Sequence, residues 1–373
     1  MRIFVINTGS TSSKLALYEA ERDHSRRLGG AHFDAGEGSP ETLIKRFLGS
    51  QSPAVDAVCH RIVHGGNRLI RPCLLNAEVE AEIERLGQLA PLHNPEALRW
   101  IRASRSILGD ACPHAAVFDT AFYADLPVTA ASYAVPRALA EECHIRRYGF
   151  HGIAHRAMWE RWCRLRQDLP GGARLITVQL GGGCSMTATL NGAPMDTSMG
   201  FSPVEGLVMA SRSGDLDPSV ITYLMRKRDM TPEAIDRLLN EESGLKGISN
   251  RSSDIRDLLD ADDSPSREAI AVYCYRIRKY LGAYLAVLGG AEGILFGGGV
   301  GEHAAQIRKQ ILQGMEWCGI CLDEQSNSET IGREGRISRP GGGIDVWVTP
   351  VSEGDILARE AVIAVTADRG AST

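Results

Sequence analysis

Along the chain, short apolar runs joined by polar loops alternate with longer stretches whose apolar residues recur every three or four positions. Residues 3–6 are apolar, 7–13 form a polar turn, and 14–18 alternate. That pattern predicts strand, loop and returning strand. The same grammar recurs at 175–180, 181–185 and 186–190, closed by Asn191 and Gly192, a dipeptide suited to a two-residue hairpin. A third relative, residues 293–296, runs into the glycine-rich stretch 297–301. Between these landmarks the spacing predicts helices over 77–89, 94–108, 153–165, 219–228, 232–240 and 266–288, several opening on Ser, Asn or Pro.

Alternating strands and helices make this an α/β protein. Two copies of strand, Gly/Ser-rich loop and returning strand, about half a chain apart, point to an internal duplication with two related domains facing a central cleft. Each loop would bring backbone N–H groups to that cleft, where they suit phosphate oxygens. At 373 residues the chain exceeds the usual size of one core, which also favours two domains. The segment 260–266 and the tail after Thr366 are the expected mobile pieces.

Composition narrows the function. A formal net charge of -5 leaves no basic stripe for a nucleic-acid backbone or an anionic membrane, so the expected partner is a small molecule. The opening residues lack the organisation of a signal peptide, and the expected location is the cytoplasm. Residues 280–300 are the most apolar, but Glu292 and many glycines make them a buried helix and strand rather than a membrane span. Nine cysteines, an odd number, suit reduced thiols. Cys318 and Cys321 lack a second pair for zinc and read as two core cysteines.

Neither a Walker-type phosphate loop nor a dinucleotide fingerprint is present. Polar clusters stand out instead: Arg61 with His60 and His64 beside Gly65 and Gly66, Asp119 at the end of an apolar run, and Arg212 in a small-residue turn. His151 and His155 have zinc spacing but no third ligand. Phosphoryl transfer needs oxygen ligands for a metal, cations around the transferred group and a pocket for the acceptor, and this chain has candidates for each.

As an ordered set the clusters closely resemble the acetate kinase family, of the superfamily that also holds sugar kinases, heat-shock ATPases and actin. The resemblance runs through VINTGSTSSK, HRIVHGG, APLHNPEAL, VFDTAFY, RRYGFHGIAHR, DTSMGFSPVEGLVMASRSGDLDP, GISNRSSDIRDL, FGGGVGEH and TPVSEGDILARE. It implies two duplicated ribonuclease H-like, actin-like ATPase domains, with residues 1–147 plus 356–373 as the first and 148–355 as the second, nucleotide-binding and dimerising one. It implies reversible transfer of the ATP γ-phosphoryl group to acetate, giving acetyl phosphate and ADP, with Mg²⁺ (or Mn²⁺) as cofactor, in a homodimer.

Position by position, the resemblance places Asn7 and Glu353 near the metal and Ser10, Ser12 and Lys14 in the first phosphate loop. Asp119 is implied to place metal and phosphoryl group, while Arg61, His151 and Arg212 embrace the phosphoryl group and His93 lines the same site. Val63, Leu92, Phe150 and Pro203 would surround the acetate methyl. Gln179, Gly181, Gly182 and Gly183 would form the second phosphate loop, Asp254, Ile255 and Arg256 the adenine side, and Gly299, Val300, Gly301, Glu302 and His303 the adenosine loop.

The chemistry agrees independently. A carboxylate is already deprotonated at neutral pH, so the difficulty is repulsion between two anions, which arginines and a metal relieve without a general base. Direct in-line transfer is therefore expected. The chain departs from the family where HLGNG becomes Gln179 to Gly183 and GENS becomes Gly301 to Ala304, which bears on the phosphoryl donor. A propionate or butyrate kinase, or a non-catalytic sensor of nucleotide or acetyl phosphate, is the alternative.

Overall fold

The run at residues 3–6 belongs to a strand that extends to both sides, β1 (Arg2–Thr8), which pairs antiparallel with β2 (Ser12–Ala20). These and all following features come from a computed structural model, which describes residues 1–9, 12–34, 36–51, 54–91 and 93–371. β2 pairs with β3 (Ser25–Asp34), and on its other side β1 runs parallel to β4 (Ala57–Ile62). β5 (Cys73–Leu74) is an antiparallel edge on β6 (His114–Phe118), itself parallel to β4. The order is β3-β2-β1-β4-β6-β5.

The second half repeats this strand for strand. β7 (Arg174–Leu180), β8 (Cys184–Leu190) and β9 (Ala193–Thr197) form the antiparallel meander. β10 (Gly293–Gly297) and β12 (Asp345–Val348) continue in parallel from β7, and β11 (Gly335–Arg336) is the antiparallel edge. Read from β9, the order β9-β8-β7-β10-β12-β11 reproduces the first sheet in both sequence and direction. These are two duplicated ribonuclease H-like domains of the actin-like ATPase class. The β8–β9 turn places Asn191 and Gly192 at φ 51° and 86°, the two left-handed residues that such a hairpin needs.

The chain divides into two compact units: Met1–Ala124, Phe150–Ala157 and Ser352–Thr373 in one, Asp125–Gly149 and Met158–Val351 in the other. Residues 125–147, grouped with the first domain on sequence, thus cluster with the second sheet. Arg147 shows why, since its Nη1 donates to the carbonyls of Thr197, the last residue of β9, and of Ser198 and Met199 just past it.

Helix positions follow the sequence pattern closely at α1 (Asn94–Leu108), α2 (Gly152–Leu165) and α3 (Ser264–Leu288). The stretch at 260–266 holds a helix cap, in which Asp263 accepts from Ser266 N at 2.8 Å and starts α3. α4 (Gly298–His303) follows β10, and α5 (Glu353–Ala371) closes the first unit. No helix was expected at α5. Its sequence is apolar nearly all round, so the three-to-four spacing that marks a half-exposed helix is blurred. The expected mobile tail after Thr366 is helical as far as Ala371. Cys318 and Cys321 are half-buried rather than core residues, and all nine cysteines are free thiols.

Both faces of the first sheet are covered, which is why its central strands read as continuous apolar runs. Ile3, Val5, Ala57, Cys59, Ala115 and Val117 pack on Ile356, Leu357, Ala361 and Val365 of α5. The alternate residues Phe4, Ile6 and Val58 pack on Trp100 and Ala103 of α1, and Ile62, Ala116 and Phe118 on Leu98 and Ile101. Each fully buried large side chain here contributes roughly 1.5–3 kcal/mol.

Candidate active site

The face of the first sheet that packs on α5 ends in polar residues. Strand alternation carries it from Ile3 and Val5 to Asn7, from Ala57 and Cys59 to Arg61, and from Ala115 and Val117 to Asp119, one step beyond the last apolar pair on each parallel strand. Polar groups therefore gather at the carboxyl ends of β1, β4 and β6, where open α/β sheets bind ligands. Glu353, the first residue of α5, reaches the same place at a helix N-terminus that favours a carboxylate.

These four side chains form one network. Arg61 Nη2 donates to Asp119 Oδ2 at 2.6 Å and Nε lies 3.1 Å from the same oxygen, while Nη1 donates to Asn7 Oδ1 at 3.1 Å. Asn7 Nδ2 donates to Glu353 Oε2 at 2.6 Å. Asp119 is fully buried, and burial pushes its carboxyl up against the pull of Arg61. Burial opposes the charge on Arg61, but Asp119 and Glu353 outweigh it and hold the guanidinium protonated. Burial would likewise raise the Glu353 carboxyl, yet Arg61, the Asn7 amide and Lys14 together keep it below the usual carboxylate range. Lys14 is exposed and sits opposite Asn7 in the β1–β2 register, so it shares that face. Ser12 is half-buried at the start of β2, whereas Ser10 lies outside the described residues.

The turn into α2 shows what sequence reading missed. His151 is half-buried at φ 57°, a left-handed conformation that is strained for a non-glycine residue and concentrates at functional sites. A Cβ on Gly152 would meet Asp119 O at 2.1 Å, so only glycine lets α2 start here, with Ile153 N–H donating to the Asp119 carboxylate. His155 is fully buried, and burial with the neighbouring His151 holds its pKa well below the ordinary value. It is a neutral core histidine, and no group of three metal-binding side chains of the His, Cys, Asp or Glu type occurs among the described residues.

Beyond Arg61, Val63 is buried, and His64 after it exchanges hydrogen bonds with Asn94 at the start of α1. The His64 ring meets the buried Phe150 edge-on at 5.4 Å, which brings the Val63 and Phe150 segments together. His93 is half-buried at the N-cap of α1, and Leu92 lies outside the described residues.

The remaining candidates belong to the second unit. Gln179 and Gly297 are register partners on β7 and β10, which sets the Gly181–Gly183 turn beside α4. Gly182 is exposed with nothing within 4 Å of an added Cβ, and its carbonyl accepts from Ala210 N at 3.2 Å. That links the turn to the Arg212 segment. Arg212 is half-buried with no carboxylate partner among the described residues, and burial lowers its pKa. Such a cation is suited to an incoming anion. Pro203 is half-buried in the turn after β9.

Gly298 adopts φ 76°, and a Cβ there would strike Leu180 O, so the start of α4 is closed to other residues. Gly299 is open and exposed, Val300 half-buried and Gly301 buried. Glu302 accepts from Gly298 N at 3.1 Å, and His303 Nδ1 lies 3.1 Å from Gly299 O, so both side chains hold the loop that carries them. Asp254 caps the helix Ile255–Asp260 and pairs with the exposed Arg256, while Ile255 is buried.

The sequence profile of the acetokinase family matches residues 29–359. An acetate kinase of Chloroherpeton thalassium is 46% identical over 311 residues, covering 82% of this chain and 75% of that protein. The crystal structure of an acetate kinase from Porphyromonas gingivalis superposes with a TM-score of 0.87 at 33% identity, covering 98% of this chain and 99% of the other. A propionate kinase from Francisella tularensis superposes with a TM-score of 0.86 at 32% identity, covering 96% and 98%. With a sheet topology duplicated strand for strand and this likeness along nearly its whole length, the chain is a kinase that belongs to the acetokinase family.

Proposed function

We propose that the chain transfers the γ-phosphoryl group of ATP reversibly to acetate, giving acetyl phosphate and ADP. The observation that carries this reading is the network of Asn7, Arg61, Asp119 and Glu353 at the carboxyl ends of three parallel strands. Its oxygen donors suit Mg²⁺, which takes one or two carboxylates and completes its shell with water and substrate phosphate. Asn7, Asp119 and Glu353 would hold the ion and its waters, and Mg²⁺ when bound would neutralise charge on the phosphates.

The acetate oxygen forms a bond to the γ-phosphorus while the bond from that phosphorus to the bridging β–γ oxygen breaks, and that oxygen leaves with ADP. No proton needs to move in this step. Arg61, fixed by its fork on Asp119, keeps a permanent positive charge for the oxygens of the group in flight, and Arg212 and His151 are assigned the same task. Val63, Leu92, Phe150 and Pro203 are assigned to the acetate methyl, with Gly182 and Gly299 among the residues that meet the nucleotide. Free thiols throughout suit a cytoplasmic enzyme, and a homodimer is part of the same reading.

The test is hydroxamate formation from ATP, Mg²⁺ and acetate, propionate or butyrate in parallel. Acetate should have the highest kcat/KM. A preference for propionate would establish the second reading, which the likeness to the propionate kinase favours, and absence of product with all three acids would refute the reaction.

A further inference from the structure

The turn that carries Pro203 rests on a polar cluster with no part in the reaction as derived above. Arg147 Nε donates to Ala130 O at 3.2 Å and Nη1 to Thr197 O at 3.0 Å, with Ser198 O and Met199 O each at 3.3 Å. Its Nη2 donates to Glu205 Oε1 at 2.6 Å. The other oxygen of Glu205 accepts the Tyr133 hydroxyl, and that hydroxyl in turn accepts Phe201 N–H at 2.8 Å. The guanidinium also lies over the Tyr133 ring, 5.7 Å from its centre.

Gly200 sits inside the cluster. A Cβ there would collide with the Glu205 carboxylate and the Tyr133 hydroxyl, while Gly200 O accepts from Tyr148 N at 3.0 Å and Gly149 N at 3.3 Å. The backbone from Thr197 to Phe201 is thus held by fixed donors and acceptors, and two residues further on stands Pro203. Burying a paired Arg and Glu costs solvation that a merely structural turn could avoid with apolar side chains. What the charged cluster adds is direction, because a forked guanidinium and a carboxylate fix a turn more sharply than apolar packing does.

We propose that Tyr133 and Glu205 are positioning residues for the acyl-acceptor pocket: by fixing the turn from Phe201 to Pro203 they set the length of carboxylic acid the enzyme accepts. The inference rests on the assignment of Pro203 to the wall around the acetate methyl. One methylene separates acetate from propionate, so a small shift of that wall is enough to change the choice.

Tyr133→Phe keeps the ring under Arg147 and removes only the hydroxyl, leaving Phe201 N–H without its acceptor. The expected result is a rise in the acetate KM of about tenfold and a shift of kcat/KM towards propionate of about threefold or more, with the ATP KM within about twofold. Glu205→Gln keeps an acceptor for Tyr133 but loses the charge facing Arg147, and should give a smaller shift of the same sign. An equal rise in the acetate and ATP KM values with unchanged acid preference would mean general loosening and overturn the proposal. Pro203→Ala separates the two levels. If it leaves the acid preference unchanged, the pocket assignment fails; if it shifts the preference and Tyr133→Phe does not, the pocket stands and the positioning role is wrong. Should Tyr133→Phe fail to fold, Glu205→Gln decides by the same ratio.

Discussion

At the scale of single residues, the site depends on a few side chains whose partners are far away in sequence. Asp119 is the clearest, because it is fully buried and holds both Arg61 and the start of α2. Asp119→Asn keeps the size, removes the charge and leaves Arg61 without its fork. A fall in kcat of about a hundredfold or more is expected while the protein still folds. Near-normal turnover across a Mg²⁺ titration would show that Asp119 is not part of the chemistry. Gly182 offers the opposite case, a position with room to spare. It is exposed, outside the positive-φ region, and open around an added Cβ. Gly182→Asn restores the amide usual in the family and should tighten ATP by about three- to tenfold, the worth of one hydrogen bond. Unchanged ATP affinity, measured by calorimetry, would mean that the backbone alone meets the phosphates.

At the scale of elements, short helices with glycine-rich starts are held by buried polar anchors rather than by their own length. α4 has six residues, too few to stand alone, and its carbonyls end on Arg308. That guanidinium is fully buried: Nη1 donates to Gly301 O at 2.8 Å and Glu302 O at 3.2 Å, and Nη2 to Asn327 O and Thr330 O. Nε donates to Asn327 Oδ1 at 2.9 Å. One positive charge therefore caps α4 and the helix Glu324–Glu329 together, while burial lowers its pKa to about 10. Arg308→Met would strand these acceptors in the core and should cost about 3–5 kcal/mol in urea unfolding. A loss below about 1 kcal/mol would show that water or other donors replace the guanidinium.

At the scale of the whole molecule, buried histidines tie stability to pH. His64, His60, His114 and His155 are almost completely buried; burial, with Arg85 nearby, pushes His64 down to about 4, and burial with Arg105 pushes His114 to about 4. His60 and His155 are lowered in the same direction, by burial and by a neighbouring histidine. His60 Nε2 and His114 Nδ1 lie 3.1 Å apart with Ser104 against both, an arrangement that needs one ring N–H and one lone pair. Unfolded histidine titrates near 6.5, so between about pH 6.5 and 4 the unfolded chain binds more protons and stability falls as pH falls. His64 and His114, each lowered from 6.5 to about 4, contribute a loss on the order of 3 kcal/mol apiece across that window. The midpoint of thermal unfolding should therefore be flat above about pH 7 and drop steeply below about pH 6. His114→Gln, which cannot take up a proton, should make that drop shallower, and an unchanged slope would refute the histidine origin.

The sequence by itself determined the local elements and the types of residue at the site. Periodicity placed α1 at its observed bounds, the Asn191 and Gly192 pair marked its hairpin, and the quoted motifs carried Arg61, Asp119, His151 and Arg212. Each of these signals is written within a few neighbouring residues, where spacing and turn chemistry act. Tertiary structure alone decided the rest. The Asn7 contact with Glu353 joins the two ends of the chain, and α5 became a helix because a sheet face needed covering, although its pattern is too apolar to announce an exposed side. The left-handed His151 and the glycine that lets α2 approach Asp119 depend on which backbones meet, and one-dimensional spacing carries no record of that.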